Sequence, residues 1–240
     1  FIKLRIEKNF YLLKENFLIG LPLSFYSPAF PHIVIPTLCV GATLCLAEDD
    51  NLLLNMPKFI EWLENKRITC LRFLPVSLFW YFVESLEDKN ELKNLEYLMV
   101  SGGQLRNDKY LKKFFDKTDS RIKLINIYGN TEAHLTFFYE VSKDDLNREI
   151  IPSAKLSEDL LGSKIMILDG KNNIQPLGGV GEVCIQSPAI NADCGYYNNP
   201  ELTNKTFIKN PFGKNSKDII LRTGDLGRLS PDGTLELLGR

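Results

Sequence analysis

Between residues 68 and 128 apolar runs alternate with amphipathic stretches, and this alternation restricts the fold more than any other feature of the sequence. Residues 68–74, 95–101 and 123–128 are short runs rich in Leu, Ile and Val, the pattern of buried strands. Residues 76–86 and 108–115 read as the helices between them. Strand, helix and strand in succession pair through right-handed crossovers, so a parallel sheet is predicted. The stretch before it predicts a strand, a Pro-punctuated loop, a helix over 31–40, a strand over 43–47 and a helix over 57–66. In such a sheet the strand ends at residues 72–75, 101–103 and 128–132 open on one edge, which is where ligands bind.

Residues 122–132 read Ile-Lys-Leu-Ile-Asn-Ile-Tyr-Gly-Asn-Thr-Glu, an apolar run that stops at Tyr128-Gly129. Gly129 lets a backbone come close to a bulky ligand. Thr131 can donate to a phosphate oxygen, and Glu132 offers a hard oxygen to a magnesium ion. The plain alternative is a strand exit with solvated polar residues.

After about residue 150 the texture changes to short strands over 164–168, 181–186, 218–221, 226–229 and 234–237, separated by turns such as Pro231-Asp232-Gly233. The expected fold is therefore α/β. Residues 1–150 form a parallel βαβ sheet subdomain, and residues 151–240 a smaller, mainly antiparallel β subdomain. With 44% hydrophobic residues the chain can bury a full core. A net charge of −1 gives no electrostatic footprint for nucleic acid. No apolar run reaches membrane-spanning length and no secretory signal opens the sequence. The scattered cysteines (Cys39, Cys45, Cys70, Cys184, Cys194) read as reduced thiols of a cytoplasmic protein, and two histidines argue against a multi-histidine metal centre. A start at Phe1 and a stop at Arg240, straight after a strand-like run, suggest a piece of something longer.

Several motifs follow Tyr128-Gly129-Asn130-Thr131-Glu132 in order. They are Glu182-Val183-Cys184-Ile185, the stretch from Gly195-Tyr196 to Pro200-Glu201-Leu202-Thr203, Phe207, Arg222-Thr223-Gly224-Asp225-Leu226, and Leu238-Gly239-Arg240. Together they resemble the core motifs of the adenylate-forming (AMP-binding) superfamily, most closely the adenylation domains of nonribosomal peptide synthetases. Acyl-CoA ligases and luciferases share that superfamily. The resemblance implies that ATP and Mg2+ are used to convert a carboxylic acid to an acyl adenylate and pyrophosphate. A thiol then takes the acyl group, usually the pantetheine of a carrier protein beside neighbouring synthetase domains. By position, Asp225 would hold the ribose hydroxyls, with Arg240 nearby. Ser101-Gly102-Gly103 and Asn126-Ile127-Tyr128-Gly129 would wrap the adenine, with Tyr128 against its ring. Thr131 would meet the α-phosphate and Glu132 the magnesium, the pair nearest the chemistry. The alternatives are that Asp225 caps its own turn, Tyr128 is a core aromatic and Glu132 is a solvated acid.

The sequence also departs from that pattern. The Gly/Ser/Thr-rich phosphate loop with its lysine is absent, as is the C-terminal subdomain that supplies a catalytic lysine, so the 240 residues alone are expected to be nearly inactive. Asn130, Gln104 and Cys194 stand where the family usually has Pro, Glu and Arg. The Asp that pairs with a substrate ammonium falls at Tyr26 or Pro28, and neither is acidic. A buried ammonium without a counter-charge is expensive, which favours an α-keto, α-hydroxy, aryl or fatty acid. The same alignment puts His32, Arg72, Met99, Ser101, Ile127, Leu135 and Thr136 around the acyl pocket. Arg72 either pairs with a second oxygen function on the acid or, the preferred reading, makes a surface ion pair. His134 reads as a local hydrogen-bonder. The runner-up function is a stand-alone acyl- or aryl-CoA ligase, and a third reading is a non-catalytic scaffold domain of a megasynthase.

Overall fold

In a computed structural model of the chain, the structure describes residues 13–22, 26–27, 29–48, 51–87, 92–133, 137–156, 162–213 and 218–240. The alternating segment forms a six-stranded sheet with order β2-β1-β3-β4-β5-β6. Its strands are β1 (Leu18–Leu21), β2 (Thr43–Leu46), β3 (Cys70–Pro75), β4 (Tyr97–Ser101), β5 (Lys123–Tyr128) and β6 (Phe137–Val141). Every pairing from β2 across to β5 is parallel. β3 and β5 are buried along nearly their whole length, which is why they read as continuous apolar runs rather than alternating ones.

Among the described residues, the α-helices of this sheet's part of the chain are α1 (Phe30–Cys39), α2 (Met56–Asn65), α3 (Val76–Ser85) and α4 (Lys109–Lys117). Asn55 and Asp108 start α2 and α4 by accepting from backbone N–H groups of the first turn, Asn55 from Lys58 and Asp108 from Tyr110 and Leu111. Fully buried Phe79 of α3 meets Phe114 of α4 at a centroid distance of 5.6 Å, so the two helices share an aromatic seam.

β3 is not regular. Leu71 lies opposite Leu98 and Leu74 opposite Val100, so Arg72 and Phe73 together face Met99 alone. Phe73 has φ +59 at this bulge, and Arg72 and Phe73 are both buried, as is the rest of β3 up to Leu74.

The later residues form an antiparallel sheet of order β7-β12-β11-β9-β8, with β10 also paired to β11. Its strands are β7 (Ala154–Lys155), β8 (Lys164–Leu168), β9 (Gly181–Gln186), β10 (Phe207–Lys209), β11 (Ile219–Leu229) and β12 (Thr234–Gly239). A short helix, α5 (Pro200–Thr206), precedes β10. The sequence predicts two strands, over 218–221 and 226–229, where the structure has the single strand β11. An interior bulge in β11 hides its continuity. Helix α5 and the short strands β6, β7 and β10 carry no periodic signal that the sequence reading recognised.

By internal packing the chain divides into Phe1–Ile127 with Glu140–Ile151, and Tyr128–Tyr139 with Pro152–Arg240. The sequence reading divides it at 150/151 instead. The later unit has its own core, in which Tyr128, Ala133 and Phe137 pack with Ile165, Val183, Ile185, Leu221 and Leu235.

Candidate functional site

Within the later unit the strand exit Tyr128–Glu132 and the bulge of β11 meet. Tyr128 is 5% exposed, and its hydroxyl donates to Asp225 Oδ2 at 3.0 Å. Burial pushes this phenol well above its usual range, so it stays protonated and keeps donating. The other carboxylate oxygen, Oδ1, accepts from Arg240 Nε at 2.9 Å. The Arg240 side chain is 82% exposed while that of Asp225 is 15% exposed, so the ion pair is open to solvent on its arginine side.

β11 delivers Asp225 through an irregularity. Arg222 lies opposite Cys184 and Leu226 opposite Glu182, so three residues of β11 span one of β9. Gly224 takes φ +73, a conformation that side chains resist. The Thr223 hydroxyl donates to the Val183 carbonyl at 2.7 Å, and its oxygen accepts the Asp225 N–H at 3.1 Å. Glu182 Oε1 accepts the Gly224 N–H at 3.0 Å. Its Oε2 accepts Arg222 Nε at 2.8 Å and a second guanidinium N–H besides. Hydrogen bonding to Glu182 raises the Arg222 pKa further.

Glu132 stands beside the same cleft, a space of about 540 Å³ whose walls include Asn130, Glu132, Glu182, Tyr196, Arg222 and Arg240. Its Oε1 accepts the Tyr196 hydroxyl at 2.5 Å. Tyr196 is held in turn through its N–H, which donates to Thr203 Oγ1 at 2.8 Å, and by its ring against Phe207 at 5.8 Å. Partial burial and the bond to Glu132 raise the Tyr196 phenol pKa. Asn130, in the usual proline position, accepts the Ala133 N–H through its side chain at 2.9 Å and so closes the turn itself. Gly129 is half-buried and Thr131 is exposed on this turn. A carboxylate oxygen at an open cleft suits a hard divalent ion such as magnesium. Cys194 makes only local contacts, its thiol donating to the Ala189 carbonyl at 3.5 Å.

In the earlier unit, β3, β4 and β5 end level. Pro75 pairs with Ser101, and Ser101 with Ile127. Ser101 is half-buried, and Gly102 and Gly103 are exposed just past it, Gly102 with φ +76. Met99, Asn126 and Ile127 are buried in the sheet. Arg72 is only 2% exposed, with its Cζ 5.4 Å from the centre of the Phe73 ring, so the preferred surface position is overturned. The cause is that β3 is an interior strand of the parallel sheet, paired on both sides and buried from Cys70 to Leu74, so neither of its faces meets solvent. His32 is half-buried on α1, and Tyr26 is 83% exposed. Pro28, His134, Leu135 and Thr136 lie outside the described residues.

The structure thus brings together Tyr128, Glu132, Asp225 and Arg240 in one unit, and lines up Arg72, Met99, Ser101 and Ile127 at a strand edge of the other. The sequence reading assigned no role to Glu182, Arg222 or Tyr196. All three lie inside motifs quoted above, but their partners are 40 to 64 residues away in sequence.

A profile of the family described as AMP-binding enzyme matches residues 3–197. Malpinin synthetase of Mortierella alpina is 31% identical over 206 residues, which is 85% of this chain and 2% of that protein. Bacitracin synthase 1 of Bacillus licheniformis is 30% identical over 203 residues, 83% of this chain and 4% of that protein. Gramicidin S synthase 2 of Brevibacillus brevis is 33% identical over 155 residues, 64% of this chain and 3% of that protein. The chain therefore spans a small fraction of these relatives. Among solved structures, the nonribosomal peptide synthetase FmoA3 superposes with a TM-score of 0.84 at 24% identity, covering 98% of this chain and 24% of that one. CmiS6 gives the same score and identity over 98% of this chain and 55% of that one. At such identity these likenesses concern the fold.

Proposed function

The chain belongs to the AMP-binding enzyme family, and on that footing we propose that it is the central and later part of an adenylation-domain core, which activates a carboxylic acid with ATP for transfer to a carrier-protein thiol. The observation that carries this reading is the pair of bonds on Asp225, one from Tyr128 and one from Arg240, beside the cleft that Glu132 lines. An ionised carboxylate has about four acceptor sites, so Asp225, held by Tyr128, keeps lone pairs free for two ribose hydroxyls. Tyr128 would hold one face of the base, with Gly129 giving it room. By motif position, Ser101, Gly102, Gly103 and Asn126 are the further residues assigned to the adenine.

Two anions must meet in this reaction, so catalysis consists mostly of alignment and charge neutralisation. Thr131 would donate to the α-phosphate, and Glu132 would hold magnesium. The metal's contribution when bound is to neutralise phosphate charge. Arg240, largely exposed beside Asp225, would turn toward the nucleotide. Localisation in the cytoplasm fits reduced, scattered cysteines.

For the acid, Met99 and Ile127 favour an apolar body, and buried Arg72 at the same strand edge supports an oxygen function on the side chain. With no acid at Tyr26 or Pro28, an α-keto, α-hydroxy or aryl acid is favoured over an amino acid. ATP–pyrophosphate exchange by the full-length protein tests this, with amino acids set beside their deaminated counterparts. Exchange with a deaminated acid alone is expected, and exchange with the amino acid would overturn that substrate class. Asp225→Ala should cut exchange with every acid, whereas Arg72→Ala should change the order of preferred acids. Exchange that survives Asp225→Ala unchanged removes the ribose assignment, and no exchange with any acid favours a non-catalytic scaffold.

A further inference from the structure

We propose that Glu182 is a positioning residue for the nucleotide: by bridging Arg222 and the Gly224 N–H, its carboxylate holds the bulge of β11 in the one form that presents Asp225 to the ribose. The proposal rests on the reading of Asp225 as the ribose-binding carboxylate.

The need for such a residue follows from the register. Two extra residues in β11 must leave the ladder between Arg222 and Leu226, so their backbone groups lose partners on β9. Gly224 is the weakest point. An added Cβ there would meet nothing within 4 Å, so no side chain packed against this position helps to hold it. The φ of +73 alone calls for glycine, and glycine is also the residue with most conformations to escape to. Asp225 follows directly, so a rotation at Gly224 swings its carboxylate.

Two side chains restrain the bulge. Thr223 ties its N-terminal side to the Val183 carbonyl and caps the Asp225 N–H. Glu182 ties the middle by accepting the Gly224 N–H on Oε1, and the arginine before the bulge on Oε2. An ordinary exposed ion pair adds little and leaves the backbone alone. The Glu182 side chain is 18% exposed and that of Arg222 is 32% exposed, and one of the two carboxylate oxygens is spent on the main chain. A carboxylate used this way orders a turn. Arg222 in turn fixes the rotamer of Glu182 from the far side of the bulge.

The deciding measurement is the preference for ATP over 2′,3′-dideoxy-ATP, by calorimetric titration of the full-length chain. Wild type, Asp225→Ala, Glu182→Ala and Glu182→Gln are compared. A loss of folded protein lowers the active fraction for both nucleotides and leaves their ratio unchanged, whereas a displaced Asp225 lowers the ratio. The wild type should favour ATP, Asp225→Ala should abolish the preference, and Glu182→Ala should reduce it by about tenfold with dideoxy-ATP affinity unchanged. Glu182→Gln keeps an acceptor for Gly224 but turns an amide toward Arg222, so it should lose about threefold. That variant decides the matter if Glu182→Ala does not fold. A wild-type ratio in Glu182→Gln and in any folded Glu182→Ala, with the preference lost in Asp225→Ala, overturns the proposal and leaves the ribose reading standing. A preference that survives Asp225→Ala, or its absence in wild type, removes the ribose reading and the proposal together.

Discussion

Tyr128 and Asp225 are 97 residues apart in sequence, yet the Tyr128 hydroxyl lies 3.0 Å from Asp225 Oδ2, and the bond between them couples an aromatic ring to a carboxylate whose other oxygen is held by exposed Arg240. Because burial keeps the phenol protonated, the bond persists well into alkaline solution. Tyr128→Phe keeps the ring and its core contacts but removes the donor. It should weaken ATP binding by up to about 10- to 150-fold, since a hydrogen bond to a charged group contributes about 1.5–3 kcal/mol. The melting temperature should also fall, by roughly 3–10 °C, because the folded state loses the same bond. A Tyr128→Phe protein with wild-type nucleotide affinity would show that this bond does not prepare the site.

At the scale of the element, what positions the site is irregularity within otherwise regular strands. β3 carries a left-handed Phe73 next to buried Arg72, and β11 carries Gly224 in the bulge that presents Asp225. A second kind of strain lies away from the site, at the end of α2. Arg67, exposed just past the helix, has φ +52 while its N–H bonds to the Glu64 carbonyl, a terminating turn that favours glycine. Relief of the left-handed penalty outweighs the extra freedom that glycine gives the unfolded chain. Arg67→Gly should therefore stabilise the protein by about 0.5–1 kcal/mol. Calorimetry should show a melting temperature higher by about 2 °C, and a lower one would mean that the Arg67 side chain does more than occupy the turn.

For the molecule as a whole, the chain crosses between its two packing units more than once, so the units are not consecutive segments. The later unit borrows Tyr128, Ala133 and Phe137 from the middle of the sequence for its core. A fragment of residues 152–240 should consequently lack cooperative unfolding by circular dichroism. Adding a peptide of residues 128–139 in trans should restore part of its structure. A fragment that folds cooperatively without that segment would mean that those side chains only decorate a core already complete.

The parallel sheet and its helices were legible in the sequence because buried parallel strands read as continuous apolar runs and amphipathic helices carry a 3.6-residue period. Residues 123–128, 164–168 and 181–186 match the observed strands β5, β8 and β9 at both ends. Tyr128, Glu132, Asp225 and Arg240 were legible as a set through motif order, and the structure brings those four together in one unit. Three things depended on tertiary structure: the burial of Arg72, the joining of 218–221 and 226–229 into one bulged strand, and the partners of Glu182 and Tyr196. Local periodicity reports which face of a segment is apolar. It carries no information about which distant strand supplies the partner, or where a ladder slips by a residue or two, because those are settled by competition among long-range contacts when the chain packs.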